Sequence, residues 1–161
     1  MWSKRVEPID ELTVARSLST QPGFAWLDSN RSESLDGRFS FLAAWPNDEI
    51  RVEFGASRPF DALGRVSASA TGTPSGGFGP GDVPSWIGYI AYDAFWSAPA
   101  RGRGRFERST DPIVLFRRYP ALFAIDHESG VTWVIGDDEA ECTRFLERFR
   151  TCEDASLSLI H

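Results

Sequence analysis

A chain of 161 residues with 42% apolar, 13% aromatic and 25% charged side chains can bury roughly two-thirds of its unfolded surface, which excludes a disordered polypeptide and fits one domain over residues 1 to 161. Its 17 basic residues are outnumbered by 23 acidic ones, for a net charge of −6. The broad positive field that a phosphate backbone requires is missing, so nucleic acid is not an expected partner.

Near the start, Pro8 and Asp10 can open a short helix in which Ile9, Leu12, Ala15 and Leu18 recur every third residue, with Gln21-Pro22-Gly23 ending it. Phe24 to Ser29 then reads as a short buried strand, and the polar run Asn30 to Gly37 as a loop into a strand from Arg38 to Trp45. After the turn Pro46-Asn47-Asp48, Ile50, Val52 and Phe54 alternate with Arg51 and Glu53, which predicts a second strand antiparallel to the first. Pro59 to Val66 fits a short helix capped by Ser57. Thr71 to Pro84, with five glycines and three prolines, reads as a surface loop.

Trp86 to Tyr92 is an apolar strand whose Gly88 marks a bulge or a close backbone approach. A basic loop, Ala98 to Asp111, follows. Ile113 to Arg118, Ala121 to Asp126 and Val131 to Ile135 predict an antiparallel meander, with the turn His127-Glu128-Ser129-Gly130 joining the last two. Asp137 or Asp138 can cap a final helix carrying Ala140, Phe145, Leu146 and Phe149 on one stripe. The order of elements places the chain in the α+β class, a largely antiparallel sheet with helices on one side. Phe39, Phe41, Trp45, Trp86, Tyr89, Tyr92, Phe95 and Trp96 supply more aromatic strand surface than these helices can cover.

Cys142 and Cys152 would stand about 15 Å apart on one helix, beyond bridging distance, and read as free thiols of a reducing compartment. Glu7, Asp10 and Glu11 fall where a signal peptide needs its apolar core, and no apolar run approaches the roughly 20 residues that cross a bilayer. A cytoplasmic protein without membrane contact is expected.

The chemical constellations are sparse. His127 and His161 are the only imidazoles; one falls on a hairpin turn, where exposure is the ordinary outcome, and the other is the last residue. No catalytic residue and no metal ligand set is assigned. Gly76-Gly77-Phe78-Gly79-Pro80-Gly81 lacks a preceding strand and loses an amide donor at Pro80, so it is not a phosphate loop. Arg101-Gly102-Arg103-Gly104-Arg105 is one short basic segment of an acidic chain and reads as a solvated loop. The pairs Asp137-Asp138 and Glu153-Asp154 read as capping and surface charge. Trp26-Leu27-Asp28-Ser29, with Arg38 opening the next strand, differs. It sets a carboxylate, a hydroxyl and a guanidinium at strand ends, where they can close a turn with an ion pair or read the ammonium and carboxylate of an amino acid.

Four segments, in order, resemble the N-terminal domain of the chorismate-utilising synthases, component I of anthranilate synthase and of aminodeoxychorismate synthase. Trp26-Leu27-Asp28-Ser29 is similar to the family's Leu-Leu-Glu-Ser element and Gly37-Arg38-Phe39-Ser40 to its Gly-Arg-Tyr-Ser strand. Trp86-Ile87-Gly88-Tyr89-Ile90-Ala91-Tyr92-Asp93 is similar to the Gly-Tyr-x-x-Tyr-Asp motif, with Gly88, Tyr89, Tyr92 and Asp93 at its defining positions, and Ala124-Ile125-Asp126-His127 to the closing strand. Pro84-Ser85 stands where the motif carries paired glycines, and Phe95-Trp96 where it carries a basic residue.

The resemblance covers residues 24 to 135 and implies a non-catalytic domain, with the details of the strand closer to the aminodeoxychorismate branch (para-aminobenzoate and folate) than to anthranilate synthase (tryptophan biosynthesis). It implies that a C-terminal chorismate-binding domain holds the catalytic groups and the magnesium ligands. A glutamine amidotransferase subunit is the implied further partner. It also implies that Asp28, Ser29 and Arg38 match positions that hold tryptophan as an effector. A stand-alone aromatic amino acid sensor and a protein-interaction module remain the competing readings.

Overall fold

The computed structural model describes residues 1–29, 38–68, 83–95 and 110–158, with the side chains of Ser67, Ala68, Asp93 and 154–158 left aside. Two antiparallel sheets and three α-helices make an α+β architecture. The strands are β1 (Trp2–Val6), β2 (Ala25–Leu27), β3 (Phe39–Ala43), β4 (Asp48–Val52), β5 (Trp86–Ile90), β6 (Val114–Arg118), β7 (Ala121–Asp126) and β8 (Val131–Gly136). The helices are α1 (Glu11–Leu18), α2 (Gly64–Ala68) and α3 (Glu139–Ser158). Five strands form one sheet in the order β1-β8-β7-β3-β2, and three form the other in the order β4-β6-β5.

Two links carry the chain between the sheets, and both depart from the sequence expectation. β3 and β4 do not pair with each other: β3 lies between β2 and β7, while β4 pairs with β6. The reason is Trp45, whose φ of 58° turns the chain out of the first sheet where a hairpin was expected. The meander also breaks, because β6 and β7 belong to different sheets; Tyr119-Pro120 divides them, and Pro120 has no N–H to continue a ladder. The β7–β8 hairpin forms as expected, with Gly130 at φ 68° in its turn. β1 was not anticipated; it is an edge strand paired to β8.

Side chains of the larger sheet alternate between two faces. Leu42, Phe123, Ile125 and Val134 point to the side covered by α1 and α3, where Val14, Leu18, Cys142, Phe145 and Phe149 complete the main core. Phe123 meets Phe145 and Phe149 edge-on, with centroids 5.1 and 4.9 Å apart. α1 begins as the sequence predicts: Asp10 caps it, its carboxylate accepting from Thr13 N at 2.9 Å. α3 is capped by Asp138, which accepts from Glu141 N at 2.9 Å, while Asp137 pairs with Arg118 at 2.6 Å. Of the expected stripe, Phe145 and Phe149 face the core and Leu146 packs against it, whereas Ala140, in the first turn, is exposed; α3 continues to Ser158. Both cysteines are free on this helix; burial pushes the Cys142 thiol up to about 12.

The opposite face is apolar as well. Ala43, Leu122, Ala124 and Ile135 are buried there beneath Ile87 and Tyr119, whereas Phe39, Phe41 and Trp133 stand half-buried. Among the described residues no helix lies on it; α1 and α3 are together on the other side, as expected, while α2 adjoins the 3₁₀ turn Asp61–Leu63, whose Leu63 packs with the smaller sheet. The smaller sheet has its own cluster around Ala94, Ile113 and Val114. Residues 59–66 are a 3₁₀ turn (Asp61–Leu63) running into α2, and no side chain caps that turn, so Ser57 is not the cap. No helix among the described residues is long and apolar enough to cross a membrane.

Candidate functional site

The ends of β2, β3 and β7 meet at one end of the larger sheet, and every sequence candidate near Trp26-Leu27-Asp28-Ser29 collects there. Ser40 is the hub. It lies in β3 on the helix side, fully buried, and its Oγ accepts from Ser29 N at 3.1 Å and lies 3.5 Å from Asp28 Oδ1. The same Oγ shares a 2.7 Å hydrogen bond with His127 Nε2. α1 closes the group from above: Glu11 Oε1 accepts from Trp26 Nε1 at 2.7 Å, and Glu11 Oε2 stands 3.7 Å from His127 Nε2. His127 is therefore turned inward from the hairpin, with a side chain 22% exposed, and the expectation of an exposed turn residue is corrected.

Arg38 goes to a different partner set. Its Nε and Nη2 donate to Asp126 Oδ1 and Oδ2 at 2.9 and 2.6 Å, a two-point clamp, and Nη1 lies 3.2 Å from Glu128. Its guanidinium also sits over the Phe39 ring, 4.9 Å from the centroid. Asp126 is buried, and besides Arg38 it takes hydrogen bonds from Ser129 Oγ and from the N–H groups of Glu128 and Ser129. The Arg38 hydrogen bond, helped by those turn donors, outweighs burial and holds the Asp126 carboxyl well below the usual carboxylate range. Reciprocally, Asp126 raises Arg38. Asp28 and Ser29 are thus brought together on Ser40, while no hydrogen bond links either to Arg38 among the described residues.

A serine and an imidazole at 2.7 Å invite comparison with a nucleophile and its base. Two features exclude that chemistry. Ser40 Oγ is sealed from any carbonyl substrate, and the Glu11 carboxylate approaches the same ring nitrogen as the serine instead of orienting the imidazole from its other nitrogen. The network instead ties α1, β2, β3 and the β7–β8 turn together. Its formal charge is acidic, with Glu11, Asp28, Asp126 and Glu128 against Arg38. An approaching ammonium finds acceptors there, whereas a carboxylate has to compete with Asp126 and Glu128 for Arg38.

Sequence reasoning missed Ser40, Glu11 and the structural part of Asp126. An aspartate ending a strand before His-Glu-Ser-Gly is an Asx-turn pattern, and that signal was available. Ser40 gave none, because its partner His127 is 87 residues away.

The second motif lies in β5. Gly88 pairs in regular register with Phe116, so there is no bulge; a Cβ there would run into the Leu115 carbonyl and stand 2.5 Å from Phe116 Cα. The glycine is a close-approach position. Tyr89 is 43% exposed, and Tyr92 and Phe95, in the 3₁₀ turn Tyr92–Phe95, are 77% and 62% exposed. Asp93 shares that turn. Gly37, Trp96, His161, the glycine-rich run 76–81 and the arginine–glycine run 101–105 lie outside the described residues. Among the described residues no group of three or more His, Cys, Asp or Glu side chains is placed to hold a metal ion. No family model and no curated protein matches the sequence.

Proposed function

We propose that this chain is the non-catalytic N-terminal domain of component I of an aminodeoxychorismate synthase, in which it serves as the scaffold for a C-terminal chorismate-binding domain. The observation that carries this reading is the apolar character of the sheet face opposite the helices, where Phe41 is half-buried beside Phe39. Phe39, within the segment that resembles a strand of that family, lies on the same face. In this reading the C-terminal domain brings chorismate, magnesium and the catalytic groups, a glutamine amidotransferase subunit supplies ammonia, and the assembly works in the cytoplasm on the route to para-aminobenzoate.

Tryptophan is the effector assigned to Asp28, Ser29 and Arg38. Its ammonium is matched by Asp28, whose carboxylate is exposed, and its carboxylate has to displace Asp126 or Glu128 from Arg38. Binding therefore depends on groups from the second domain.

The test mixes this chain with a separately produced chorismate-binding domain of an aminodeoxychorismate synthase. Association is followed by analytical ultracentrifugation, and product by chromatography, with chorismate, ammonia and magnesium present. Association, with aminodeoxychorismate made by the complex and not by this chain alone, is expected. Anthranilate as product moves the chain to the other synthase. Turnover by the chain alone, or no association, overturns the proposal.

A further inference from the structure

The most strained residue of the larger sheet's rim is remote from the Ser40 network. Trp45 has a φ of 58° and precedes Pro46, so a bulky side chain occupies the left-handed region at a position where proline already restricts the backbone. Its surroundings hold it there from several sides. Trp45 N donates to Pro22 O at 2.8 Å, and its indole Nε1 lies 3.3 Å from Gln21 Oε1. Phe145 meets the ring edge-on at 5.5 Å, and the Arg148 guanidinium lies 4.2 Å above its centroid. Pro46 in turn fits against Gly23, where any Cβ would stand 2.5 Å from the proline ring. Strain that several elements hold in place is a feature of binding sites.

This arrangement lines an open cleft of about 380 Å³ between α3 and the two inter-sheet links. One wall is apolar and offers no backbone N–H: Pro22, Pro46 and Pro120, beside Trp45. The other wall is α3, with Arg148 and Arg144. Arg144 is paired with Glu141 at 2.6 Å; Arg148 makes no ion pair among the described residues. Stacking fixes the face of the Arg148 guanidinium on the indole and leaves its N–H edge to form a two-point hydrogen bond. At the mouth, the Asn47 amide oxygen accepts from Arg118 at 3.2 Å, and its amide N–H groups can donate.

We propose that this cleft binds a small organic monocarboxylate whose apolar body lies against the prolines and whose carboxylate takes the edge of Arg148. Two arginines against one glutamate leave a single net positive charge, which suits one carboxylate better than a doubly charged phosphate. The site lies across the sheet from the proposed docking face and stands independently of the chorismate reading.

The test titrates the full chain with sodium benzoate while following the indole N–H resonance of Trp45 by NMR. Benzyl alcohol and inorganic phosphate serve as companion probes. A saturable benzoate shift at millimolar concentration is expected, with neither companion reproducing it. Arg148→Met is expected to weaken benzoate about tenfold, the equivalent of one charged hydrogen bond, and Glu141→Gln to tighten it about threefold. If Arg148→Met loses its native circular dichroism, Glu141→Gln and the companion probes decide the matter. No saturation up to roughly 50 mM benzoate, equal binding of phosphate or benzyl alcohol, or unchanged affinity in a folded Arg148→Met variant overturns the proposal.

Discussion

The two faces of the larger sheet are built from the same kinds of residue, and they meet different fates. On the helix side Leu42, Phe123 and Val134 are completely buried under α1 and α3. On the other side Phe39, Phe41 and Trp133 belong to neighbouring positions of the same strands and remain half-buried. Alternation along a strand dictates which residues share a face, but coverage is decided by elements distant in sequence. Apolar character alone therefore does not set how deeply a residue is buried; the element packed over it does.

The largest effect belongs to the sealed face. Phe123→Ala removes a ring that Phe145 and Phe149 both meet edge-on and leaves a cavity that the surrounding core can fill only in part. A loss of about 3–5 kcal/mol is expected, measured by urea denaturation. A loss below about 1 kcal/mol would mean that α3 is not held to the sheet by this cluster.

Next comes the second sheet. Gly88→Val places a branched side chain against the backbone of Leu115 and Phe116, which cannot move aside as a flexible side chain can. The cost expected is about 3 kcal/mol, the upper end for overpacking. The strand pair β5–β6 should lose amide exchange protection before the β7–β8 pair does. Uniform protection in both sheets would show that the close approach is relieved by a shift of the whole strand.

These two positions also mark what the sequence could and could not reveal. Gly88 was legible because a glycine inside an apolar strand has few physical explanations, and close approach was one of them. The core positions Phe145 and Phe149 and the caps at Asp10 and Asp138 were legible because they depend on local periodicity and on one carboxylate near free N–H groups, whereas Leu12, placed on the α1 stripe, is exposed and Val14 takes the core position. The division into two sheets was hidden: Pro46-Asn47-Asp48 has hairpin composition, and nothing local announces that Trp45 adopts φ 58°. β1 was hidden too, because Lys4 and Arg5 interrupt its pattern, and charge of this kind protects an edge strand from further pairing. At the candidate site Asp28 and Ser29 were found together, but their common partner Ser40 reads in sequence as one polar residue between two phenylalanines.

A smaller effect separates the Arg38 clamp from the rest of that network. Asp126 is held below its ordinary carboxyl range in the folded chain and returns to about 3.9 on unfolding. The unfolded chain therefore takes up the proton first as pH falls. The stability contributed by the clamp is present at neutral pH and is lost as pH drops below about 4 toward the folded value. Asp126→Asn should cost about 1–2 kcal/mol at pH 7 and flatten the pH dependence of unfolding in that window. A variant as acid-sensitive as the parent would assign the acid transition to other carboxylates.

The smallest effect on folding is the one that separates the two faces most directly. Phe41 pairs with Ala124, next to Phe123 in β7, so Phe41→Ala and Phe123→Ala make the same chemical change at adjacent points on opposite sides of one sheet. Because Phe41 is only half-buried and touches Phe39 at 6.3 Å between ring centroids, its truncation removes little area from the folded chain. A stability loss of about 1 kcal/mol is expected. Association with a chorismate-binding domain, in contrast, should fall by at least about tenfold, since an aromatic anchor at the centre of an interface contributes more than its share. If Phe41→Ala destabilises the isolated chain as strongly as Phe123→Ala, the face opposite the helices is closed by the chain itself. If it costs little and leaves association unchanged, the second layer docks elsewhere.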